Sequence, residues 1–482
     1  MYIRFLAPSF AVLGLIASAL APRQVHAAHS PPVILRDVRV IDGNGGPPLE
    51  HADILITGSR ITAIQSQSGG QPQSPAAVRA PSAATVIKLT GKTVLPGLIS
   101  NHSHLGLIKG TTSSGTNVTR ANILRQLKQY TAYGVTTVTA LGLNLKPFYD
   151  LQPQAHSGAT RTADMFGADK GFGAPNGVPP PPAGVLDTQV YRPSTPEEAR
   201  SQVRETAQRH PDLLKIWVDD VHGTVPVRMN PEVYKAIIDE AHTNGLRVAA
   251  HIYYLNDARQ LVGDGVDILA HGVRDQAVDS DFVKSIKGRG AWYVPTLSLD
   301  ESFYIYAEHP EWLQQPFFRR GLQPSLAAQF NDSTWRAKVL ADTRTLAVQK
   351  QALATNMKNL KALYDAGVNI GFGTDSGATP LRIPGFAEHR ELKLLTAAGL
   401  TPLQAIQTAT KNAAALLHLD DRGVIAPGKL ADLLVVDGDP SKDISALDNI
   451  QSVWRRGKKV ADARWFKTRP AASRVKKPAS PP

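Results

Sequence analysis

Six residues of types that bind metal ions or move protons lie in or at the ends of short apolar runs of this 482-residue chain. They are His102, His104, Lys215, His251, His271 and Asp375. His102 and His104 are two residues apart, which on a β-strand directs both imidazoles to the same face. Neutral imidazoles suit zinc and related divalent ions, and carboxylates complete such sites. The chain has no cysteine, which excludes thiolate zinc sites, iron–sulfur clusters and cysteine nucleophiles.

Lys215 has a chemistry of its own because its neighbours Leu213, Leu214, Ile216 and Trp217 are apolar. A lysine buried among such residues loses its charge readily. An uncharged amine reacts with carbon dioxide to form a carbamate, whose two oxygens can bridge two cations. Two cations about 3.5 to 4 Å apart share a hydroxide at neutral pH and polarise a substrate carbonyl together. The alternative is a structural lysine whose stem lies along the apolar core.

The six residues are distributed over strand-like runs that alternate with helical patterns, which is typical of a parallel sheet covered by helices. The eight runs are 98–104, 134–141, 160–167, 214–219, 247–252, 267–271, 291–297 and 369–375. Eight strand–helix units predict an α/β fold in which residues 97–422 form a (β/α)8 TIM barrel. Functional groups of such barrels lie at the C-terminal ends of the strands, so all six residues should meet at one mouth. An open doubly wound sheet is the alternative.

Capping signals mark individual helices between these runs. Asn230 followed by Pro231 predicts the start of a helix before the fifth run, and Gly245 predicts its end. Thr401 and Pro402 predict a similar start after the eighth run.

The two ends of the chain have another pattern, with short alternating runs broken by Gly and Pro. Residues 33–96 and 423–465 are therefore predicted to be two parts of one small β-sandwich domain.

The first 27 residues have the pattern of an export signal. Arg4 precedes an apolar stretch from Phe5 to Leu20, and small residues follow up to Ala27. The pattern predicts a signal peptide over residues 1–27, and a periplasmic or secreted mature protein without stable membrane insertion. An uncleaved anchor is the alternative, although this stretch is short for a membrane span of about 20 residues.

The formal net charge of +12 does not indicate nucleic-acid binding, because the basic residues are concentrated at the end of the chain. Residues 453–482 contain ten basic residues and one acidic residue. Residues 466–482 are also rich in proline, which predicts a solvated, disordered basic tail. The overall composition, with 42% hydrophobic and 20% charged residues, is that of a folded globular protein.

Three segments of the chain resemble the amidohydrolase superfamily of metal-dependent hydrolases. They are residues 94–104, which end in the two histidines, residues 371–377, which contain Asp375, and residues 423–437 near the other end. Within the superfamily the chain looks most like the imidazolonepropionase-like and Xaa-Pro dipeptidase (prolidase)-like branch. The likeness extends over residues 33–460.

The resemblance implies a role for each of the six residues. His102, His104 and Asp375 are implied to hold the more buried of two divalent ions, and His251 and His271 to hold the other. The expected metal is zinc. An N6-carboxylysine at Lys215 is implied to bridge the two ions. Asp375 also acts as general base and then general acid. One departure is visible, since Ser100 stands where the family has an aspartate two residues before the first histidine. That aspartate orients the metal ligands without binding the ion itself, so its absence affects the orientation and basicity of the ligands rather than the presence of the site.

Further residues are candidates for substrate contact. His222 follows the fourth run and Tyr253 follows the fifth, where the polar end of a substrate can reach. Residues 172–184 are predicted to form a rim loop over the site. Residues 298–351 are predicted to be a helical insertion that shapes the pocket, with a cover on the side of the barrel as the alternative.

These features predict an exported two-metal amidohydrolase that cleaves an amide or peptide-type C–N bond of a small molecule, such as a dipeptide or an N-acyl amino acid. A one-metal cyclic amidohydrolase or deaminase and a catalytically silent scaffold of the same fold are the alternatives. The sequence does not distinguish among Zn, Mn, Co and Fe as the metal, and it leaves a homo-oligomer possible.

No Gly-x-Ser-x-Gly or His-Glu-x-x-His motif occurs, which excludes the corresponding serine and zinc hydrolases.

Overall fold

The computed structural model describes residues 31–66, 81, 83–180 and 184–467. The predicted signal peptide and all but the first two residues of the predicted basic tail lie outside these ranges, so both stay predictions. Within the described ranges, no helix is both long enough and apolar enough to cross a membrane.

The described residues form a mixed α/β structure. The strands are β1 (Val33–Val40), β2 (Leu49–Thr57), β3 (Arg60–Ser66), β4 (Thr85–Lys88), β5 (Lys92–Pro96), β6 (Leu98–Ser103), β7 (Ile108–Lys109), β8 (Thr112–Ser113), β9 (Val135–Ala140), β10 (Asp164–Gly167), β11 (Leu214–Trp217), β12 (Val248–His251), β13 (Ile268–Ala270), β14 (Trp292–Val294), β15 (Asn369–Ile370), β16 (Leu433–Asp437), β17 (Ile450–Arg455) and β18 (Lys458–Asp462).

The helices cover the parallel strands and fill the long segment between β14 and β15. They are α1 (Arg120–Ala132), α2 (Lys146–His156), α3 (Pro196–Ala207), α4 (Pro231–Thr243), α5 (Leu255–Gly263), α6 (Ser280–Arg289), α7 (Leu297–Glu301), α8 (Ile305–Glu308), α9 (Pro316–Arg320), α10 (Pro324–Asn331), α11 (Ser333–Ala341), α12 (Thr343–Asp365), α13 (Phe386–Ala397), α14 (Pro402–Gln407), α15 (Ala413–Leu416) and α16 (Arg464–Lys467).

Strands from the two ends of the chain pair in one sheet, in the order β18-β17-β16-β5-β1-β2-β3, with β4 beside β1. The two ends meet where β16 pairs antiparallel with β5, for example Leu434 opposite Leu95. One side of the sheet encloses an apolar cluster that includes Ile54, Val94 and Trp454. The chain ends therefore share one sheet, and their arrangement as a sandwich stays a prediction.

Eight parallel strands lie between these ends, one in each of the eight predicted runs. They form a three-stranded sheet, β10-β9-β6, and a five-stranded sheet, β11-β12-β13-β14-β15. Isolated parallel bridges link the two sheets on both sides, Ser103 with Ser376 next to β6 and β15, and Ala168 with Leu213 next to β10 and β11. The strands are buried along most of their length, as expected for parallel strands covered on both faces.

The two predicted helix starts are confirmed. Asn230 is the N-cap of α4, and its side chain accepts a hydrogen bond from the backbone N–H of Glu232. Thr401 caps α14 through a capping box with Gln404. These caps satisfy N–H groups that the first turn of a helix leaves without partners.

The segment from α7 to α12 is the predicted insertion after the seventh strand. Its inner residues form an aromatic cluster in which Tyr306 stacks on Phe330 with ring centroids 4.6 Å apart and on Phe318 at 5.5 Å. Phe386 at the start of α13 packs against Phe318, which connects the insertion to the rest of the fold. The insertion is thus a packed unit with its own apolar core.

A buried ion cluster lies at the N-terminal ends of the strands. Asp164, the first residue of β10, contacts Nδ1 of His156 at 2.7 Å and accepts a hydrogen bond of 2.8 Å from Arg422. Arg455 of β17 donates to Asp432 at 2.8 Å and lies 3.9 Å from Asp164. This group, called the Asp164 cluster below, ties the sheet of the chain ends to the parallel strands.

Candidate metal centre

Three of the predicted ligands meet between the first and last parallel strands. His102 and His104 lie at the C-terminal end of β6, and Asp375 follows β15 on a loop whose backbone N–H donates to the carbonyl of His102 at 2.9 Å. Nε2 of His102 is 3.2 Å and Nε2 of His104 is 3.0 Å from the Asp375 carboxylate. The ligand atoms of these three buried residues all lie within 4.8 Å of one another, which is close enough to hold one ion.

The other two predicted histidine ligands lie beside this group. His251 ends β12 and His271 directly follows β13. The ring centroid of His271 is 4.6 Å from that of His251 and 4.6 Å from that of His102. The structure therefore brings the four predicted imidazoles into one continuous row.

Lys215 lies on β11 with no exposed surface. Its Nζ donates a hydrogen bond of 3.2 Å to the carbonyl of Ala270, the residue before His271. Burial lowers the pKa of Lys215 to about 7, against the opposing effect of the nearby carboxylates of Asp375 and Asp219. A large share of the amine is therefore uncharged near neutral pH, which is the form that reacts with carbon dioxide.

Burial lowers the pKa of two imidazoles, whereas neighbouring charges lower the pKa of the carboxylate. Burial lowers the pKa of His102 to about 3 and moves the pKa of His271 well below its usual value. Burial alone would raise the pKa of Asp375, but Arg382 and His102 outweigh it and hold that pKa well below its usual range. These two imidazoles are thus neutral and the carboxylate ionised, which are the forms in which they bind metal ions.

Several buried polar atoms around this group have no hydrogen-bond partner. They are Nδ1 of His102, Nδ1 of His104, Nε2 of His251 and Oδ2 of Asp219. Buried polar atoms of folded proteins are nearly always paired, so each unpaired atom calls for an explanation. Four imidazoles, an uncharged amine and a carboxylate also match the donors that zinc and related divalent ions accept. The residues present therefore fit a site for divalent metal ions.

Three charged residues of the site were missed in the sequence. Asp219 lies 3.2 Å from Nε2 of His251, Arg382 donates to the Asp375 carboxylate, and Arg274 donates to Asp300 at 3.0 Å. Asp219 ends the run that contains Lys215, and its place at a strand end was a usable signal. Arg274 and Arg382 lie in loops, where no periodicity marks them.

The two predicted substrate contacts lie side by side. The rings of His222 and Tyr253 are 4.6 Å apart, and the guanidinium of Arg274 lies 4.8 Å from the Tyr253 ring. His222 is on the wall of the cavity beside the candidate ligands, with Tyr253 and Arg274 packed next to it. Burial lowers the pKa of His222, which favours its neutral form.

A cavity of about 920 Å³ opens over the candidate ligands. Its floor includes His102, His104, His251, His271 and Asp375. The predicted rim loop contributes Pro179 and Gly184 to the wall, and the insertion contributes Leu299, Phe303 and Val348. The predicted pocket-shaping role of the insertion is therefore confirmed.

Comparison with known proteins agrees with this geometry. The sequence profile of the amidohydrolase family matches residues 93–460. An uncharacterised protein of Mycobacterium tuberculosis is 27% identical over 266 residues, and the match covers 53% of this chain and 60% of that protein. Ochratoxinase of Aspergillus niger is 24% identical over 86% of this chain and 83% of its own length.

Solved structures with similar folds include two hydrolases. The crystal structure of A. niger ochratoxinase has a TM-score of 0.69 at 20% identity and covers 89% of this chain and 95% of its own. A Xaa-Pro dipeptidase with methionine bound in its active site has a TM-score of 0.67 at 24% identity, with 89% and 99% covered. At these identities the likeness shows the fold, whereas the profile match extends over most of the chain. The chain therefore belongs to the amidohydrolase family, the class of metal-dependent hydrolases of carbon–nitrogen bonds that its sequence motifs resemble.

Proposed function

We propose that this protein is an exported binuclear-metal amidohydrolase that cleaves an amide or peptide-type C–N bond of a small substrate, such as a dipeptide or an N-acyl amino acid. The observation that carries the proposal is the row of four imidazoles together with the carboxylate of Asp375 and the buried amine of Lys215, whose Nζ donates to the carbonyl of the residue before His271. These six groups come from five different strands, and they meet at the floor of one cavity or directly beside it.

In this proposal His102, His104 and Asp375 would hold one divalent ion, expected from the donor types to be zinc, and His251 and His271 would hold a second. A carbamate on Lys215 would supply oxygen donors shared by the two ions. The uncharged share of the Lys215 amine supports this role, as does its place next to the residue that precedes His271. The position of Asp219 beside His251 would orient that imidazole, as carboxylates commonly do for metal-binding histidines.

A pair of divalent ions supplies an activated water at neutral pH and polarises the substrate carbonyl. Asp375 is ionised and faces the cavity, so its carboxylate can take a proton from the attacking water and deliver it to the leaving nitrogen. Arg382 donates to the same carboxylate and so orients it. His222 supplies a polar contact for one end of the substrate.

The proposal includes the finer architecture. We infer that the two parallel sheets are arcs of one closed (β/α)8 barrel and that the sheet of the chain ends belongs to a small sandwich beside it. The parallel bridges on both sides of the two sheets support closure. A closed barrel explains why groups from five strands reach one mouth.

Export to the periplasm or beyond is part of the same proposal and rests on the pattern of residues 1–27. Expression of the full chain in a bacterial host, followed by cell fractionation and N-terminal sequencing, tests it. We expect a periplasmic or secreted protein that begins near residue 28. An intact N-terminus in the cytoplasmic fraction would contradict export without touching the catalytic proposal.

The catalytic proposal is tested by screening the mature, zinc-reconstituted protein against libraries of dipeptides and N-acyl amino acids. We expect hydrolysis of at least one class, two metal equivalents per chain, and a mass increase of one carbon dioxide on Lys215. The matched variants are Lys215→Ala and the surface change Lys146→Ala, since Lys146 only contacts Asp150 on α2. One metal equivalent with an unmodified Lys215 would favour a one-metal enzyme, and full activity of Lys215→Ala would overturn the two-metal mechanism.

A further inference from the structure

The insertion gives the cavity an apolar wall that catalysis alone does not require. Four large apolar side chains are exposed among the described residues, and two of them, Phe303 and Val348, line the cavity at 38% exposure each. Exposed apolar groups that cluster at a pocket usually mark a binding surface. The wall begins close to the metal ligands, because Arg382, which contacts Asp375, lies 5.8 Å from the ring of Phe303.

A second cavity of about 340 Å³ lies behind this wall. Phe303, Asp342, Thr345 and Gln349 line both cavities, and the second is further lined by Tyr304, Trp335, Lys338, Val339 and Leu346. The stacked rings of Tyr306, Phe318 and Phe330 lie in the core of the same insertion. A chamber whose apolar part is formed by Phe303, Trp335, Val339 and Leu346 thus lies next to the main cavity.

We propose that this chamber and the Phe303 wall form a subsite for a bulky apolar group on one side of the scissile bond. The inference rests on the proposed hydrolase function and specifies its substrate class as amides with a large aromatic or aliphatic substituent. The main cavity, at about 920 Å³, is near the upper end of the range of about 300–1,000 Å³ found for drug-sized ligands. A small dipeptide leaves most of that volume unfilled.

The test compares N-acetyl-L-alanine with N-(2-naphthoyl)-L-alanine and with N-acetyl-3-(2-naphthyl)-L-alanine on the zinc-reconstituted protein, by kcat/KM and by calorimetric Kd. We expect one naphthyl compound to exceed N-acetyl-L-alanine by about 10-fold or more, since even one methylene in an apolar pocket is worth about 10-fold. Phe303→Ala should remove most of that ratio. Leu340→Ala should keep it, because Leu340 is equally exposed on the same insertion but lines neither cavity.

Hydrolysis without a naphthyl preference in kcat/KM or Kd would overturn the subsite and leave the hydrolase proposal intact. Tight naphthyl binding that Phe303→Ala weakens, without hydrolysis of any compound, would support the subsite and count against the hydrolase proposal. Equal effects of Phe303→Ala and Leu340→Ala would also overturn the subsite.

A different observation carries a second inference, concerning a buried carboxylate behind the metal ligands. Glu388 on α13 has no exposed surface, and one of its oxygens accepts hydrogen bonds from the hydroxyls of Ser100 (3.2 Å), Thr374 (2.7 Å) and Ser376 (2.7 Å). Its other oxygen accepts from the backbone N–H of Gly385 at 2.7 Å. One carboxylate thus connects three hydroxyls of two separate strand ends.

The three hydroxyls that Glu388 binds belong to residues that neighbour the candidate ligands in sequence. Ser100 stands two residues before His102, and Thr374 and Ser376 stand on either side of Asp375. We infer that Glu388 is a positioning residue that holds the His102 strand and the Asp375 loop in register, so that their side chains converge on one ion. It supplies from helix α13 the carboxylate that position 100 of this chain lacks.

The test is the zinc affinity of Glu388→Gln, measured by competition with a chelating dye, with Glu391→Gln as control. Glu391 is buried on the same helix but accepts from the backbone N–H groups of Leu297 and Ser298 instead. We expect Glu388→Gln to weaken zinc binding about 10- to 100-fold, the usual effect of losing such a support, and Glu388→Asp to recover part of it. Glu391→Gln should leave zinc binding unchanged.

Equal zinc affinities of Glu388→Gln and Glu391→Gln, with similar melting temperatures, would overturn the positioning role. If Glu388→Gln does not fold, Ser100→Ala takes its place, since it removes one of the three donors. Zinc affinity of Ser100→Ala identical to that of the parent protein would then count against the inference.

Discussion

The two ends of the parallel strands differ in how their buried histidines and carboxylates are paired, although Nε and Nη2 of Arg455 at the N-terminal ends also have no hydrogen-bond partner. At the C-terminal ends, Nδ1 of His102 and Nδ1 of His104 have no hydrogen-bond partner, and Nε2 of His251 has only a charge contact of 3.2 Å with Asp219. At the N-terminal ends, both oxygens of Asp164 are engaged, one by His156 and the backbone N–H of Met165, the other by Arg422. Both sets lie in the same apolar core, so burial alone does not explain the difference.

We infer from this difference that ligands bind at the C-terminal ends and that the N-terminal ends serve the fold. A buried polar group without a hydrogen-bond partner lowers the stability of the fold by about 1–3 kcal/mol. A bound ligand can offset this cost where the chain itself supplies no partner. Paired ionic groups at the opposite end join the sheet of the chain ends to the parallel strands. The same division between mouth and base is typical of strand–helix barrels. Changes at the two ends should therefore affect different quantities.

The largest effect is expected at the mouth. Asp375→Asn removes a metal ligand and the group that transfers the proton, so kcat/KM should fall by about 10²- to 10⁴-fold. Asp375 is also paired with the largely buried Arg382, so the free energy of unfolding of the metal-free protein should fall as well, and the loss of activity per folded molecule is the quantity that distinguishes this end. Steady-state kinetics and urea unfolding of the same preparation measure both quantities, and Asp150→Asn, on the exposed face of α2, is the control.

At the N-terminal ends of the strands, a substitution should lower stability and leave activity nearly unchanged. Asp164→Asn leaves Arg422 and Arg455 without their shared partner, and breaking a buried ion pair in this way costs about 3–5 kcal/mol of stability. The kcat/KM of the protein that remains folded should stay near that of the parent. Equal losses of activity per folded molecule in Asp164→Asn and Asp375→Asn would abolish the distinction between the two ends.

The Asp164 cluster also sets a pH dependence. Burial alone would raise the pKa of Asp164, but its hydrogen bond to His156 and the charges of Arg455 and Arg422 outweigh burial and hold that pKa well below 3.8. A carboxyl with a depressed pKa stabilises the folded state above its unfolded pKa, and this contribution is lost as the pH falls below about 4. Urea unfolding between pH 3 and 6 should show a shallower acid decline for Asp164→Asn than for the parent.

Metal binding at the C-terminal ends should raise the free energy of unfolding by a smaller amount than the ion pairs of the Asp164 cluster contribute. Zinc that binds only the folded state at 100 times its Kd adds about 2.7 kcal/mol to the free energy of unfolding. Chelation should remove this increment from the parent and from Asp164→Asn alike, and should have much less effect in Asp375→Asn. A zinc increment in Asp375→Asn as large as that of the parent would place the ion elsewhere.

The smallest effect is expected for a helix cap that belongs to neither of the two sets of buried polar groups. Asn230→Ala removes the side chain that caps α4 and should cost about 1 kcal/mol. Zinc affinity should not change. Thermal unfolding and zinc titration check the two statements, and a change in zinc affinity would show that α4 acts on the mouth as well.

Local signals in the sequence predicted much of what positions the site. All eight parallel strands lie inside the predicted runs, and Asn230 and Thr401 cap helices as their types and neighbours indicate. The apolar neighbours of Lys215 also foretold its burial. These features depend on residues close in sequence, where periodicity and capping chemistry act directly.

Features that depend on distant pairs could not be predicted in this way. Glu388 reaches Ser100 across 288 residues, and Arg422 reaches Asp164 across 258. Nothing in the neighbourhood of either charged residue distinguishes it from an ordinary helix or loop residue, because its partner is chosen by the packing of whole elements.

The sequence by itself determined which residue types are present to bind metal, that cysteine chemistry is absent, and where strands and helices begin, because these follow from composition and local periodicity. Only the tertiary structure decided which imidazoles become neighbours, which carboxylates stay paired and how large a cavity the insertion encloses. Those properties depend on distances between side chains far apart along the chain, and such distances exist only once the strands and helices have packed.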